Sequence, residues 1–295
     1  MTGTRVGTIR EVWRYPVKSM GGQRIAEGLL TARGIPGDRA WALKDEAAGE
    51  IRGAKKFPVL LQCTARFLAE PDPGGSPPVE IGLPDGKTVR SDAPEASEAL
   101  SRLVGRTVTL WPLRPAEDRD HYRRGMPDHP DMLEELREIF GRQQDEPLPD
   151  LSVFPPEIME FTSPLGTYFD AFPLHLLTTA SLAEMSRRAP GPAFDPRRFR
   201  PNFVVETGDA AGPGLVEAGW SGRQVRVGGA RIRIEVPTVR CSMIAQAHGA
   251  GPDLPKDAAV LRAVVKDADQ NLGCYATVVE TGLVREGDEV VLLDS

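Results

Sequence analysis

Cysteine and histidine are scarce in this chain of 295 residues, with three of the first and four of the second. The cysteines, Cys63, Cys241 and Cys274, are odd in number and without close pairing, which argues against a disulfide framework. His121, His129, His175 and His248 are scattered, and no CxxC or paired histidine provides the roughly four convergent ligands of an ordinary zinc site. There is no GxGxxG element after a strand and no GxxxxGK[ST] loop, so nucleotide-driven chemistry has no foothold. Acidic pairs are plentiful, but none has a spacing that sets it apart from solvated surface, which leaves a glycosidase without support. No run approaches the ~20 apolar residues of a membrane helix, and the segment Met1 to Val6 lacks a secretory signal, so a cytoplasmic protein with no membrane partner is expected. A formal charge of -6 gives no general attraction to nucleic acid, and any anion site must be assembled locally.

What is abundant is punctuation. Thirty glycines and 27 prolines cut the chain into short segments, which favours many strands over a few long helices. The length exceeds the common size of one domain. We therefore expect an α+β, predominantly β protein, with an N-terminal domain over 1–115, a partly helical connector over 116–160 and a second domain over 161–295. Val6 to Trp13 is β-prone, and Gly34 to Asp38 is a turn before a strand at Arg39 to Leu43. The loop Pro71 to Pro78 and the turn Leu83 to Lys87 belong to a meander. Ala99, Leu100, Leu103 and Val104 share a helical face that ends at Gly105, and a second helix runs from Asp131 to Gly141. Ser181 and Glu184 have the spacing of a capping box, which places a helix start at Ser181. Ala258 to Val265 suggests another helix, and Tyr275 to Glu280 and Glu289 to Leu293 read as closing strands about Gly282.

Ile232, Ile234 and Val236 alternate with Arg231, Arg233 and Glu235, the period of a half-buried strand that delivers the chain to Arg240 and Cys241. A thiol beside a guanidinium at a strand end suits either ligation of a soft metal or sulfur transfer, whereas a lone cysteine is more often a small buried hydrophobe. Lys18, Ser19, Arg39, Arg200 and Asn202 carry donors suited to phosphate or polar ring atoms. Singly, such residues are usually surface charges; their order along the chain gives them weight.

That order resembles a known family. Tyr15-Pro16-Val17-Lys18-Ser19 and Gly37-Asp38-Arg39-Ala40-Trp41 are similar to the MOSC N-terminal β-barrel domain. Leu177 to Leu182, Phe199-Arg200-Pro201-Asn202-Phe203, Arg240-Cys241, Leu272 to Tyr275 and Arg285 to Asp288 are similar to the MOSC domain proper. The pattern resembles the mitochondrial amidoxime-reducing component and its bacterial counterparts. The resemblance implies a MOSC β-barrel with peripheral helices, a pyranopterin-molybdenum cofactor between the two domains, and Cys241 as the catalytic residue and metal ligand. It further implies cofactor contacts from Lys18, Ser19, Arg39, Thr179, Ser181, Arg200, Asn202, Arg240 and Cys241.

On this resemblance the chain is a molybdenum oxidoreductase acting on a small N-oxygenated molecule with electrons from a separate donor protein. The alternatives are a sulfur carrier with a persulfide on Cys241, or a cofactor carrier without turnover. Ser242 to Gly249 departs from the Thr-Val-Asp-Pro pattern of amidoxime-reducing relatives, which bears on substrate identity. With Asp294-Ser295 close behind the last strand, no fused ferredoxin-like domain is expected. The stretch from Glu117 to Asp150 reads as a connector packed on one edge, in preference to a lid.

Overall fold

A computed structural model describes residues 2–249 and 254–294. Strands dominate it, and the largest sheet closes on itself. Seven of its eight strands form the closed part, in spatial order Phe203–Thr207, Leu174–Thr178, Asn271–Glu280, Ala230–Val239, Gln224–Val227, Glu289–Leu293 and Gly3–Arg14, and the eighth, Gln23–Ile25, pairs with the end of Gly3–Arg14. Gly3–Arg14 then pairs with Phe203–Thr207 to complete the barrel. All the pairings are antiparallel except that of Leu174–Thr178 with Phe203–Thr207. Closure removes the open edges that these seven strands would otherwise present.

The barrel thus takes its seam strand from the extreme N-terminal part of the chain. Val6, Ile9 and Val12 point into the same core as Leu176, Val205, Ile232, Ile234 and Ala276, all essentially buried. Alternation in Ala230–Val239 is as the sequence suggests, with Ile232 and Ile234 buried and Arg233 exposed. The first strand, Gly3–Arg14, belongs in space to the barrel and not to the segments that follow it in sequence.

Between those barrel segments the chain builds a second body. Trp41–Asp45 pairs with Glu50–Arg52 and Val108–Pro112, and Thr64–Phe67, Val79–Gly82 and Thr88–Arg90 form an antiparallel meander. Val17, Leu43, Leu60, Ile81 and Leu100 pack between them. The helix Ala96–Val104 closes this core and stops at Gly105, whose φ of 70° is left-handed, the conformation glycine adopts without strain. The connector helix Met132–Phe140 starts where Asp131 accepts from the Leu133 N–H at 2.8 Å and ends at Gly141, φ 61°. Both stops follow the residues that signal them in the sequence.

One helix start differs from expectation. The helix is Thr179–Arg188, and its cap is Thr178, whose side chain accepts from the Ser181 N–H at 3.1 Å. Ser181 lies inside the first turn with its hydroxyl donating to Glu217, so it is not the capping residue. Gly282 differs too: instead of a plain turn it opens a short strand, Gly282–Arg285, paired with Glu27–Leu30.

The seam can be tested at Gly7, which faces Thr207 on one side and Val290 on the other. A β-carbon there would sit 2.2 Å from the Glu206 carbonyl oxygen. Gly7→Ala should therefore lower stability by about 1–3 kcal/mol, the usual cost of overpacking. Urea unfolding measures this, and an unchanged midpoint would mean that the strand does not close the barrel in solution.

Candidate functional site

The strand Ala230–Val239 ends one residue before Arg240, and Cys241 follows in extended conformation as the residue before a short 3-10 turn, Ser242–Ala245. Cys63 and Cys274 are fully buried, whereas Cys241 is partly accessible. It lines a cavity of about 710 Å³, part of it open to solvent, between the barrel and the N-terminal body. Lys18, Ser19, Arg39, Arg200, Asn202 and Arg240 line the same cavity. Seven of the nine sequence-nominated residues therefore converge.

Thr179 and Ser181 lie elsewhere. The Thr179 hydroxyl accepts from the Thr207 N–H at 3.2 Å, which ties the helix start to a barrel strand. Ser181 is fully buried and faces Glu217, which also accepts from the Thr178 hydroxyl at 2.6 Å. Both are occupied in holding one helix to the barrel.

Backbone conformation singles out this cavity. Five non-glycine residues among those described have positive φ, and three of them, Ser19 (69°), Arg39 (50°) and Arg200 (56°), are in its lining. Left-handed backbone disfavours residues with a β-carbon, and such strain persists where the surroundings over-determine it. Here hydrogen bonds do so: the Arg39 N–H donates to Tyr15 O at 2.7 Å, the Arg200 N–H to Pro196 O at 3.0 Å, and Ser19 Oγ accepts from the Ala54 N–H at 2.8 Å.

A polar network joins the two walls. The Tyr15 N–H donates to Asp38 Oδ1 at 2.8 Å, and Asn202 Nδ2 donates to Asp38 Oδ2 at 3.1 Å. Asn202 Oδ1 accepts from the His175 N–H at 3.0 Å, and the Asn202 carbonyl accepts from the Trp13 N–H at 2.8 Å. Asn202, 1% exposed, thus positions the walls with its amide group rather than offering it freely to a ligand. The guanidinium carbons of Arg39 and Arg200 lie 4.6 and 4.3 Å from the Tyr15 ring centre, one arginine from each half of the chain.

The lining holds five cationic side chains, Lys18, Arg39, Arg198, Arg200 and Arg240, against one carboxylate, Asp170, with Asp38 behind it. Burial, aided by repulsion from Arg39, brings the Arg200 guanidinium down to about 10. Burial also lowers Lys18 and Arg240. The Asp170 carboxylate is half exposed, and Lys18 at 2.9 Å with the nearby Lys55 holds it well below the usual range. Arg240 donates to Phe199 O at 2.7 Å, while its buried Nε has no partner. Desolvating an ion costs several kcal/mol, and a cation–π contact returns only about 2 kcal/mol. The arrangement is therefore an anion cradle that an anionic ligand would stabilise.

Sequence reading missed Asp170, His175 and Tyr275 as lining residues. Asp170 stands alone in a loop with no local signal. His175 carried one: it is the histidine of a continuously buried strand, Leu174–Thr178, where an imidazole needs a reason to be. Burial, reinforced by Arg240, drives its pKa well below the ordinary value and keeps it neutral. Among the described residues, no group of three or more His, Cys, Asp or Glu side chains is placed to hold a metal ion. Nor is any helix among them long and apolar enough to cross a membrane.

Two family models match the sequence, the MOSC N-terminal beta barrel domain at residues 6–107 and the MOSC domain at residues 166–291. The chain belongs to the MOSC family. This family is associated with molybdenum cofactor sulfurase-like proteins. No curated protein gives a significant sequence match. Among solved structures, the chain is similar to the YuaD protein from Bacillus subtilis, with 11% identity, a TM-score of 0.45, and 97% of this chain and 94% of that one covered. It is also similar to YiiM from Geobacillus stearothermophilus and from Escherichia coli, at 21% and 16% identity. Each of these has a TM-score of 0.30, with 42% of this chain covered and 55% of the other.

A pH prediction follows from His248, which is buried against Met243 O, its ring nitrogen 3.0 Å away. Burial lowers its pKa from the ordinary 6.5 to about 4. The unfolded chain takes up this proton near pH 6.5 and the folded chain only near 4, so stability falls as pH drops through that window and levels off below it. His248→Phe should flatten this part of the profile in denaturation midpoints measured from pH 7 to 4.

Proposed function

We propose that this MOSC protein binds a pyranopterin-molybdenum cofactor between its two bodies and acts as an oxidoreductase on small N-oxygenated molecules, with electrons from a separate protein. The observation that carries the reading is the setting of Cys241: the accessible thiol sits in a cavity lined by Lys18, Arg39, Arg200 and Arg240, with Arg198 turned to backbone carbonyls behind them. A soft thiolate ligand beside concentrated positive charge suits a soft metal attached to an anionic, phosphate-bearing organic group. The unpartnered Arg240 Nε and the excess of buried cations are what such a group would satisfy. With no protein metal cluster among the described residues, Cys241 would be the chain's ligand and the cofactor would supply others.

When bound, the cofactor supplies two-electron redox chemistry at its metal. Arg39, Arg200 and Arg240 would hold its anionic part, and Lys18, kept in place by Asp170 and the Tyr168 carbonyl at 2.8 Å, would add a donor from the N-terminal wall. Ser19 lies on the same wall, and Asn202 fixes the spacing of the walls. Neutral His175 is able to accept or donate a hydrogen bond without adding charge. The residues after Cys241, Ser242 to Gly249, are where this chain departs from amidoxime-reducing relatives; of these, Met243 and Ile244 line the cavity and add apolar surface beside Cys241.

Protein purified from a molybdenum-replete host should contain molybdenum and pterin near one per chain. Cys241→Ala should lose the metal while its circular dichroism is unchanged. Arg200→Ala should weaken pterin retention by about tenfold to a hundredfold, the worth of a charge-assisted hydrogen bond. Wild-type protein holding neither metal nor pterin would overturn the reading. Cyanide-labile sulfur on Cys241 in such protein would favour a sulfur carrier, and loaded protein without turnover would favour a cofactor carrier.

A further inference from the structure

Beside the cationic cavity lies a larger groove of about 1300 Å³, part of it open to solvent, and the two share Lys18, Ser19, Asp170 and Met243. Its inner wall is the stretch from Glu50 to Lys56 of the N-terminal body, and its outer wall is the connector, through Met126, Met132, Leu136, Ile139 and Met159. Met126 is 84% exposed and Met159 59%, unusual for side chains with no polar atom beyond a thioether.

The outer wall is fastened at both ends. Lys56 pairs with Asp128 at 3.0 Å and with Glu135 at 2.9 Å, and Arg52 with Asp128 at 2.7 Å. At the other end Arg142 donates to Arg240 O at 3.0 Å, and the Ser242 hydroxyl to Ile139 O at 3.0 Å. The connector helix is thereby anchored to the residues on either side of Cys241. Most charges in the groove are ion-paired; Lys55 makes no ion pair among the described residues and lies close enough to lower the Asp170 carboxyl, at the passage to the inner cavity.

From this continuity we propose that the groove is a substrate vestibule, that the connector segment 124–159 is its specificity wall, and that the substrates are N-oxygenated compounds with an extended apolar body, such as aryl derivatives. The proposal rests on the redox reading for its polar head: the N–O group enters toward Cys241 past Lys18 and Lys55, and the apolar body stays among the methionines and leucine. Unbranched thioether side chains fit bodies of varied outline, so the wall selects for apolar extent more than for one shape. A partner protein fits less well, since the groove continues through Lys18, Ser19 and Asp170 into the inner cavity instead of ending as a continuous apolar face.

The test uses three probes with one head and growing bodies, acetohydroxamic, benzohydroxamic and 4-phenylbenzohydroxamic acids, titrated calorimetrically into the full chain. Affinity should rise at least about tenfold along the series, since each buried ring removes substantial apolar area from water. Leu136→Asn and the surface-tolerated Met159→Glu should each cut that rise several-fold and leave acetohydroxamic acid unaffected. A flat series, or a rise that both variants retain, would overturn the vestibule. Molybdenum and pterin measured on the same samples separate the two ideas: a graded series without metal keeps the vestibule and removes the redox reading, and metal with a flat series does the reverse.

Discussion

The pairing of Gly3–Arg14 with Phe203–Thr207 holds the molecule together and also creates its cradle. That one register places Val12 opposite Phe203, so the chain leaving the first strand at Tyr15 emerges beside the chain entering its partner at Asn202. The Trp13 N–H reaches the Asn202 carbonyl, and Tyr15 comes to lie under both Arg39 and Arg200. Residues nearly two hundred positions apart thus become the two sides of one cavity, with no need for a separate interface between preformed domains.

The cradle works against stability. Three strained backbones, a crowd of buried cations and an unpartnered guanidinium nitrogen concentrate in the one place where the two bodies meet. The surrounding hydrogen bonds to Asp38, Asn202 and the Tyr15 carbonyl hold these elements in place. Pre-organisation of this kind keeps donors aimed before a ligand arrives, and it transfers part of the ligand's binding energy into folding stability.

How much of this was legible depended on whether the signal was local. Asp131 and Gly141 bound a helix by their own chemistry, and the alternation of Ile232 and Ile234 specified a strand, so those elements could be read directly. The convergence of Lys18, Arg39 and Arg200 on Cys241 came from the order of motifs. Thr178 was hidden as a cap because it ends a strand, Leu174–Thr178, buried on every side and without alternation. Ser181 has the right spacing for a cap, yet a buried Glu217 turns its hydroxyl inward, a contact 36 positions away that no window could contain. Asp170 was silent for the same reason: its meaning comes from Lys18, far off in sequence.

The same seam orders events in time. Gly3–Arg14 precedes its barrel neighbours, Phe203–Thr207 and Glu289–Leu293, by a long stretch of chain, so until they are made it has only the short strand Gln23–Ile25 to pair with. The N-terminal body has its own core and can form earlier. The wall that carries Arg200 and Cys241 gains its fixed distance from Arg39 only at closure. Formation of a cavity with both walls in place therefore depends on barrel closure, and so on the docking of Phe203–Thr207 and Glu289–Leu293 against the first strand.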